Sequence, residues 1–394
     1  MSAVWLNTLG VVCAPGQGRA ALRDAVFNAT APTGVAASEL ATPGHQTALG
    51  VVPGVLPSLD DMPVALRGRN NALLRAALQP IRQDIDAAIE RFGADRVAVV
   101  LGSSTSGVGE SEAAHRHLLQ HGNWPPQFHY TQQEMGTPAA FLARELGVRG
   151  PSHVISTACS SSAKAMASAA RLLRAGMVDA VVTGGADSLC RFTVAGFTSL
   201  GSVSVERCNP FSRNRNGINI GEGAALFLMT REPGPVRLAG WGETSDAHHM
   251  SAPDPEGKGA ERAIREALQR AGVADGDIGY INLHGTATPQ NDAMEAGAVA
   301  RTLGLDVPCS STKPLTGHTL GAAGAIEAAI CWLAIADNPQ MQLPVHWWDG
   351  EADPDLAPIH LVRPGERAQA PLQYALSQSF AFGGSNAALV FGAG

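Results

Sequence analysis

The sequence predicts a layered α/β fold. Short runs rich in apolar and β-branched residues alternate with alanine-rich stretches along almost the whole 394-residue chain. This alternation is typical of helices that pack on the faces of a sheet. The chain is long enough to bury a large core, since 45% of its residues are hydrophobic and 16% are charged. These observations exclude a disordered or fibrous protein.

Continuous apolar runs predict the strands of the first part of the chain, because a strand covered on both faces needs no polar alternation. These runs lie at 96–101, 153–157, 179–183, 223–230 and 236–241. An alanine-rich stretch at 160–176 predicts a helix between the second and third strands.

The same alternation restarts in the second part of the chain. The predicted helices lie at 259–271, 292–303 and 320–336, and the predicted strands lie at 278–283, 307–311, 373–380 and 387–392. Proline and glycine at 232–235 interrupt both helix and strand, so the join between two similar halves is expected there. The sequence therefore predicts two domains, residues 1–234 and residues 235–394.

The composition narrows the class of protein further. The six cysteines include no C-x-x-C pair, which predicts neither a zinc site nor a disulfide framework. Residues 1–20 lack the segments of a signal peptide, and no apolar run reaches the ~18 residues of a membrane helix. A cytoplasmic protein without membrane contacts is therefore expected. The formal net charge of −7 argues against general nucleic-acid binding.

A cysteine lies where a predicted strand meets a predicted helix. Cys159 follows the apolar run at 153–157 and precedes three serines, whose small side chains leave room for an extended substrate. The positive end of a helix dipole lowers the pKa of a thiol and favours the nucleophilic thiolate. Cys159 is therefore a candidate nucleophile, although a buried structural cysteine fits the same motif.

A candidate histidine follows the predicted strand at 278–283. Glycine and proline break the strand after His284, so its imidazole is expected on a loop at a strand end, where α/β folds assemble their sites. Thr286 and Thr288 add hydroxyl groups that can bind a polar ligand arm. A structural role for a lone histidine is the alternative.

Two further segments carry polar or flexible residues between apolar elements. Lys313 and His318 lie in a loop that leads into a helix of glycine and alanine, whose close packing would hold the loop firmly. Near the end of the chain, Phe382 precedes a Gly-Gly pair, and such a turn can direct a backbone N–H group into a site. A solvated lysine and an ordinary β-turn are the alternatives.

Taken in this order, the four motifs resemble the signature of the elongating β-ketoacyl-acyl-carrier-protein synthases, condensing enzymes of the thiolase superfamily with a Cys-His-His triad. The resemblance covers nearly the whole chain. Initiating synthases pair the cysteine with one histidine and an asparagine, and thiolases use a second catalytic cysteine. Chain-length factors typically lack the nucleophile, whereas this chain keeps the cysteine, both histidines and the lysine.

The resemblance implies the five-layered αβαβα thiolase fold, built from two similar halves, and a role for each motif residue. Cys159, in the N-terminal half, would carry the acyl group, and its N–H group would form an oxyanion hole with that of Phe382. His284 and His318, in the C-terminal half, would donate hydrogen bonds to the malonyl thioester oxygen during decarboxylation. Lys313 would act electrostatically and orient the site.

Supporting residues follow from the same resemblance. Glu295 would pair with Lys313, and Thr286 and Thr288 match positions that contact the phosphopantetheine arm. Asp246 matches a segment that lines the site. No metal and no redox cofactor are implied, because the loss of carbon dioxide drives the reaction.

Several positions depart from the family pattern. Thr105 stands where fatty-acid enzymes often have an apolar acyl-pocket residue, and His129 and Glu134 lie in a region expected near the dimer interface and the acyl tunnel. Polar groups buried against a saturated alkyl chain would lose hydrogen bonds. We therefore expect a polar, unsaturated or aryl-primed chain, as in polyene or polyketide synthesis. Ser212 and Ala381 replace an aspartate and a glycine that are common in the family.

The implied partners are acyl carrier protein, which would deliver both substrates, and a second subunit. Candidate basic contacts for the carrier are Arg67, Arg69, Arg213 and Arg215. The expected assembly is a homodimer or a heterodimer with a chain-length-factor-like subunit. Two alternatives stay open: a subunit that is active only in such a heterodimer, and a malonyl decarboxylase that makes starter units.

Overall fold

Helices and strands alternate along the chain, which a computed structural model describes over residues 3–42 and 44–394. The strands are β1 (Trp5–Cys13), β2 (Gly16–Gln17), β3 (Ala36–Thr42), β4 (His45–Leu49), β5 (Val97–Gly102), β6 (Ser152–Ile155), β7 (Ala180–Asp187), β8 (Gly223–Thr230), β9 (Val236–Ser245), β10 (Tyr280–Asn282), β11 (Cys309–Ser310), β12 (Tyr374–Ala381) and β13 (Ser385–Ala393). The α-helices are α1 (Arg19–Val26), α2 (Arg69–Leu78), α3 (Arg82–Phe92), α4 (Val108–His121), α5 (Thr137–Leu146), α6 (Ser161–Arg174), α7 (Arg191–Ser199), α8 (Lys258–Ala271), α9 (Pro289–Leu303), α10 (Lys313–Thr316) and α11 (Ala323–Ala336). Within these described ranges, no helix combines the length and the apolar character needed to cross a membrane.

Two sets of five strands with the same pairing pattern form the centre of the molecule. Their orders are β6-β5-β7-β8-β1 and β11-β10-β12-β13-β9. In each set the first two pairings are parallel and the last two are antiparallel. The starts of β1 and β9 pair with each other, with Trp5 opposite Arg237, and this joins both sets into one continuous sheet. The repeat confirms the predicted fold of two similar halves.

Five layers stack in the order αβαβα. Helices α2, α3 and α5 pack on the outer face of the first set of strands, where Leu73 and Phe141 are buried. Helices α6 and α11 lie between the two sets, where Met166 and Ile330 are buried. Helices α8 and α9 cover the outer face of the second set, where Ile264 is buried. The predicted five-layered architecture is confirmed.

The two central helices pack closely against each other. A Cβ atom at Gly324 of α11 would lie 2.9 Å from the Cβ atom of Ala163 in α6, so a glycine is required at this crossing. The N–H group of Ala325 donates to the Oγ atom of Ser162 at 2.9 Å across the same contact. The helix that follows the candidate cysteine is thereby fixed against the helix that follows the second candidate histidine.

Most predicted elements agree with the observed ones within a few residues. The helices predicted at 160–176 and 259–271 are α6 and α8. The strand predicted at 307–311 is shorter, and the helix predicted at 320–336 begins with a 3-10 turn at Leu320–Ala322. Helices α1 to α5 and the hairpin of β3 and β4 have no counterpart among the predicted elements. The predicted domain boundary falls in the connection between β8 and β9 and stays a prediction.

Candidate active site

Cys159 lies at a strand-to-helix turn, as the sequence predicts. It stands between the end of β6 and Ser160, the residue that precedes α6. Ala158 adopts a left-handed backbone conformation with φ of 51°, which sharpens the turn. The N–H group of Thr157 donates to the Oγ atom of Ser161 at 2.8 Å and holds this geometry. The thiol therefore projects from a rigid point, with 6% of the residue exposed.

Both predicted histidines lie next to the thiol. The Nε2 atom of His318 is 3.0 Å from the Sγ atom of Cys159. The rings of His284 and His318 are almost perpendicular, and their centroids are 5.4 Å apart. The sulfur of Cys159 and one ring nitrogen of each histidine all lie within 4.8 Å of one another. The structure thus brings one sulfur and two imidazoles to a single cavity.

The histidines reach this cavity from loops at the carboxyl ends of elements in the C-terminal half. His284 follows β10, and His318 follows the short helix α10. The N–H group of His318 donates to the carbonyl oxygen of Asn219 at 2.6 Å, and Asn219 belongs to the N-terminal half. Strand ends of both halves therefore meet at the site, as is usual in α/β folds.

The hydrogen bonds of His318 define its tautomer. The N–H group of Leu320 donates to the Nδ1 atom of His318 at 3.3 Å, so the proton of the neutral ring lies on Nε2, which faces the sulfur. Burial and the charge of Lys313 hold the pKa of His318 well below its usual range. Burial, Lys313 and His318 lower the pKa of His284 in the same way. Both rings are therefore neutral at physiological pH, and each has a ring N–H to donate.

The pKa of the Cys159 thiol differs from the prediction. Burial raises this pKa to about 12 and outweighs the lowering caused by Lys313 and by the N–H groups of Phe382 and Cys159. The position of Cys159 at a strand-to-helix turn predicts a thiol pKa lowered by the helix dipole. This prediction is wrong for the closed cavity, because loss of hydration dominates. At physiological pH the side chain of Cys159 is therefore a thiol and not a thiolate. Both N–H groups of the expected oxyanion hole approach its sulfur.

Lys313 is buried and forms an ion pair, but not with the predicted partner. Its Nζ atom donates to the Oε1 atom of Glu327 and to the carbonyl oxygen of His284, both at 2.5 Å. The predicted pairing with Glu295 is wrong. Glu295 instead accepts the N–H groups of His284 and Gly285 at 2.6 and 2.7 Å. Both side chains therefore hold the backbone of the histidine loop.

Glu327 is a site residue that the sequence motifs did not predict. It is the one charged residue of α11, whose other residues are apolar or small. A charge in a helix buried on all sides needs a buried partner of opposite charge, since an unpaired charge there is very costly. This isolated glutamate was the available signal for the partner of Lys313.

The predicted pantetheine-binding and gate residues also line the cavity. The hydroxyl groups of Thr286 and Thr288 lie 2.9 Å apart at its wall. The ring of Phe382 packs against Phe197, with centroids 5.7 Å apart. Gly383 follows with φ of 82°, a conformation that favours glycine and supports the sharp turn of this segment.

The three residues predicted for the acyl pocket do not line this cavity. The hydroxyl group of Thr105 donates to the carboxylate of Asp187 at 2.9 Å and so faces a polar network. His129 and Glu134 are exposed, and the ring of His129 accepts the N–H group of Thr131 at 3.2 Å. The cavity is lined by apolar side chains, among them Phe197, Ile218 and Phe380, and by polar ones, among them Gln290, Asn291 and Asn386. The polar acyl group expected from these three residues therefore stays a prediction.

Two further positions are explained by their contacts. The Oγ atom of Ser212 donates to Asp349 at 2.8 Å, and Asn214 donates to the same carboxylate at 2.9 Å, so Ser212 binds an acid from a distant segment. Asp246 accepts the side-chain amide of Asn386 at 2.6 Å and does not line the cavity.

The candidate contacts for an acidic carrier divide into two pairs. Arg69 and Arg215 each bind a carboxylate of the same chain in a close ion pair, which neutralises them locally. Arg67 and Arg213 make longer ion pairs, at 3.9 and 3.7 Å. The second pair is therefore better placed to meet a partner.

The spacing of the sulfur and the two ring nitrogens is also compatible with a metal ion. The charge of Lys313 argues against this reading, because the same ammonium group that lowers the pKa of both rings would repel a divalent cation. The donor chemistry favours hydrogen bonding to a substrate, and the expected absence of a metal stays a prediction.

Comparison with known proteins identifies the family. Residues 65–233 match the beta-ketoacyl synthase N-terminal domain, and residues 236–342 match the beta-ketoacyl synthase C-terminal domain. A 3-oxoacyl-[acyl-carrier-protein] synthase 2 of Staphylococcus aureus is 34% identical over 331 residues, which cover 78% of this chain and 80% of the relative.

Solved structures give the same result. The ketosynthase ApeO, in complex with its chain length factor ApeC from Xenorhabdus doucetiae, superposes with a TM-score of 0.94 at 44% identity, covering 100% of this chain and 98% of that one. The ishigamide ketosynthase/chain length factor superposes with a TM-score of 0.88 at 26% identity, covering 100% and 99%. The sequence match, the five layers and the cavity agree, and this chain belongs to the β-ketoacyl synthase family of acyl-transferring condensing enzymes.

Proposed function

We propose that this chain catalyses the decarboxylative Claisen condensation of an acyl group on Cys159 with malonyl-acyl carrier protein, giving 3-oxoacyl-acyl carrier protein. The observation that carries the proposal is the convergence of one thiol and two neutral imidazoles on a single cavity. A neutral donor suits a site where negative charge develops on oxygen, because a donor held in place beforehand needs no reorganisation during the reaction.

In the first half-reaction, the sulfur of Cys159 attacks the thioester carbonyl of an acyl group on the phosphopantetheine arm of the carrier. The bond from carbon to the Cys159 sulfur forms, the bond to the pantetheine sulfur breaks, and the thiol proton passes to the departing sulfur. The N–H groups of Cys159 and Phe382, which approach the sulfur, stabilise the oxyanion.

In the second half-reaction, a malonyl thioester enters the same cavity. The bond to its terminal carboxylate breaks, carbon dioxide leaves, and the electron pair is delocalised onto the thioester oxygen. The Nε2–H group of His318 and a ring N–H group of His284 donate to that oxygen. The carbanion then attacks the acyl carbon, the new carbon–carbon bond forms, and the sulfur of Cys159 is released and regains a proton from solvent.

Lys313 and Glu295 act as positioning residues in this scheme. The ammonium group of Lys313 donates to the carbonyl oxygen of His284, and the side chain of Glu295 accepts the N–H group of His284. Both contacts orient the imidazole through its backbone. Thr286 and Thr288 are proposed to bind the phosphopantetheine arm of the carrier protein that delivers the substrates. The reaction is proposed to take place in the cytoplasm.

A feature of the sheet supports a second subunit. The outer edge of β11 is covered, since the N–H group of Cys309 donates to His360 at 2.8 Å and that of Val362 donates to Cys309 at 2.9 Å. The equivalent strand of the other half, β6, pairs with β5 alone within the described residues, and its Ser152 and His153 are exposed. An uncovered edge presents free backbone N–H and C=O groups to a partner.

We propose that the partner at β6 is a chain-length-factor-like subunit. The ketosynthase ApeO, at 44% identity, is in complex with its chain length factor, and this favours a heterodimer over a homodimer. A malonyl decarboxylase that makes starter units is disfavoured, because this chain keeps the sulfur of Cys159 at 3.0 Å from His318.

A reconstituted assay tests the chemistry. The purified chain, with and without ApeC as a chain length factor, is mixed with acyl carrier protein that carries a short saturated acyl group and with malonyl-acyl carrier protein. Intact-protein mass spectrometry is expected to show an acyl adduct on the chain and a 3-oxoacyl product on the carrier. Acetyl-acyl carrier protein without any adduct would identify a decarboxylase, and the absence of both products would refute the proposal.

Gel filtration of the same samples tests the assembly. A heterodimer is expected in the mixture, with condensation only in that fraction. A stable homodimer that condenses by itself would refute the heterodimer and leave the proposed chemistry intact.

A further inference from the structure

A buried carboxylate outside the cavity connects the two halves. Asp187 ends β7 and is fully buried. Its Oδ1 and Oδ2 atoms both accept hydrogen bonds, and the donors are hydroxyl and backbone N–H groups of Ser103, Ser104, Thr105 and Gly321. Each of these donors is neutral. The carboxylate therefore serves as a hub of hydrogen bonds and not as half of an ion pair.

The donors come from different halves of the chain. The loop at 103–105 follows β5, whereas Gly321 belongs to the 3-10 turn Leu320–Ala322 of the C-terminal half. The N–H group of Gly321 lies 2.5 Å from the Oδ2 atom of Asp187. A Cβ atom at Gly321 would lie 2.8 Å from the same oxygen and 2.7 Å from the nitrogen of Ser104, so the turn is in full contact with the hub.

The same turn sets the position of a proposed catalytic ring. Leu320 adopts a left-handed conformation with φ of 52°, and its N–H group donates to the Nδ1 atom of His318. That bond keeps the ring proton on Nε2, the atom that faces the sulfur of Cys159. A displacement of the turn would therefore move the donor that faces the substrate.

We infer that Asp187 is a positioning residue for His318, which it controls from the N-terminal half through the turn at Gly321 and Leu320. The inference rests on the proposed role of His318 in decarboxylation. It also accounts for Thr105, whose hydroxyl group serves this hub and not the acyl chain.

The hub requires a carboxylate. An asparagine has one acceptor oxygen, and its NH2 group would face N–H donors, so at least one of the donors at Ser104 or Gly321 would lose its partner. The conservative variant Asp187→Asn therefore loosens the turn and leaves the side-chain volume almost unchanged.

The test compares the two partial reactions in the assembled full-length enzyme. In Asp187→Asn, acyl-enzyme formation is expected to remain near the wild-type rate, while malonyl decarboxylation falls on the order of tenfold to 100-fold, a loss that a displacement of ~1 Å is sufficient to cause. The matched control is Asp179→Asn. Asp179 precedes the same strand, and the variant loses ion pairs with Arg96 and Arg231, neither of which lines the cavity. This control should leave both partial reactions unchanged.

A crystal structure of Asp187→Asn supplies a readout that does not depend on activity. A longer distance from Leu320 N to His318 Nδ1, together with a displaced Nε2 atom, is expected. An unchanged position of the His318 ring would overturn the inference. The inference would also be overturned if acylation and decarboxylation fell by the same factor, in proportion to a loss of thermal stability of the variant.

If Asp187→Asn does not fold, Gly321→Ala tests the same contact, because its methyl group would press on Asp187 and Ser104 and displace the turn. A wild-type enzyme that fails to decarboxylate malonyl-acyl carrier protein would refute the proposed function. In that case the ring position in the variant still decides the inference.

Discussion

The Nε2 atom of His318 lies 3.0 Å from the Sγ atom of Cys159, while the Nδ1 atom of the same ring accepts the N–H group of Leu320. The ring therefore presents a donor to the sulfur and has no free lone pair to accept the thiol proton. This arrangement suits the stabilisation of negative charge on sulfur or oxygen, and it makes His318 unsuited to serve as the base that activates the cysteine.

Removal of the proposed nucleophile should abolish the covalent intermediate. We expect Cys159→Ala to show no acyl adduct by intact-protein mass spectrometry after incubation with acyl carrier protein that carries an acyl group. Cys309→Ala is the matched control, because Cys309 is also a buried free thiol but lies in β11, and it should acylate normally. An adduct on Cys159→Ala would contradict the assignment.

Removal of either imidazole should separate the partial reactions. We expect His284→Ala and His318→Ala to keep acylation and to lose malonyl decarboxylation by about 10²- to 10³-fold, the usual effect of deleting one preorganised donor. Carbon dioxide release from malonyl-acyl carrier protein measures the loss. His360→Ala removes a partly exposed histidine whose ring contacts Glu366 away from the cavity, and it should have no effect. Normal condensation in either test variant would rule out the proposed donors.

Breaking the buried ion pair of Lys313 and Glu327 should be costly for the stability of the fold. Lys313 and Glu327 are 2% and 4% exposed, and removing one partner leaves the other charge buried. We expect Lys313→Met to lower the free energy of unfolding by about 3–5 kcal/mol. The double variant Lys313→Met with Glu327→Leu should lose less than the two single changes combined.

Urea denaturation of the wild type, the two single variants and the double variant gives the free energies of this double-mutant cycle. The exposed pair of Lys258 and Glu256 supplies the control, since Lys258→Met should not shift the denaturation midpoint. Additive losses in the buried pair would show that the two side chains act independently.

The two imidazoles should make stability depend on pH. Burial and the charge of Lys313 hold the pKa of His318 well below its usual range. The unfolded chain then binds more protons than the folded one below about pH 6.5, so this contribution to stability is present above that pH and is lost as the pH falls. Glu295 acts in the opposite direction, because burial raises its pKa to about 8 and its contribution is lost as the pH rises.

A comparison of wild type with His318→Gln isolates the histidine. The denaturation midpoint of the wild type should fall more steeply between about pH 7 and pH 5 than that of the variant. Decarboxylation should stay nearly constant between about pH 6 and pH 7, because neither ring changes charge there and Glu295, whose pKa is raised to about 8 by burial, titrates above this range. Parallel stability curves would mean that His318 is not held neutral by the fold.

The sequence predicts those parts of the site that depend on local order. Cys159 follows a strand and begins a helix, and His284 follows a strand, so their positions at strand ends come from short-range patterns of apolar and small residues. The five layers follow from the alternation of the same patterns. Each of these features is encoded within about a dozen neighbouring residues.

The features that the sequence did not predict correctly depend on contacts between distant segments. The partner of Lys313 is set by the packing of α11, which places Glu327 at its ammonium group and leaves Glu295 to the backbone of His284. The direction of the Thr105 side chain is set by a carboxylate at the end of another strand. The raised pKa of Cys159 depends on how completely the cavity excludes water, which no local motif encodes.

The uncovered edge of β6 has a consequence for the self-association of this protein in the cell. Bare backbone groups along a strand recruit any extended chain that meets them, including another copy of the same molecule. In the proposed heterodimer, a surplus of this chain over its partner would leave this edge open and would favour self-association. Balanced supply of the two proposed subunits would limit this self-association.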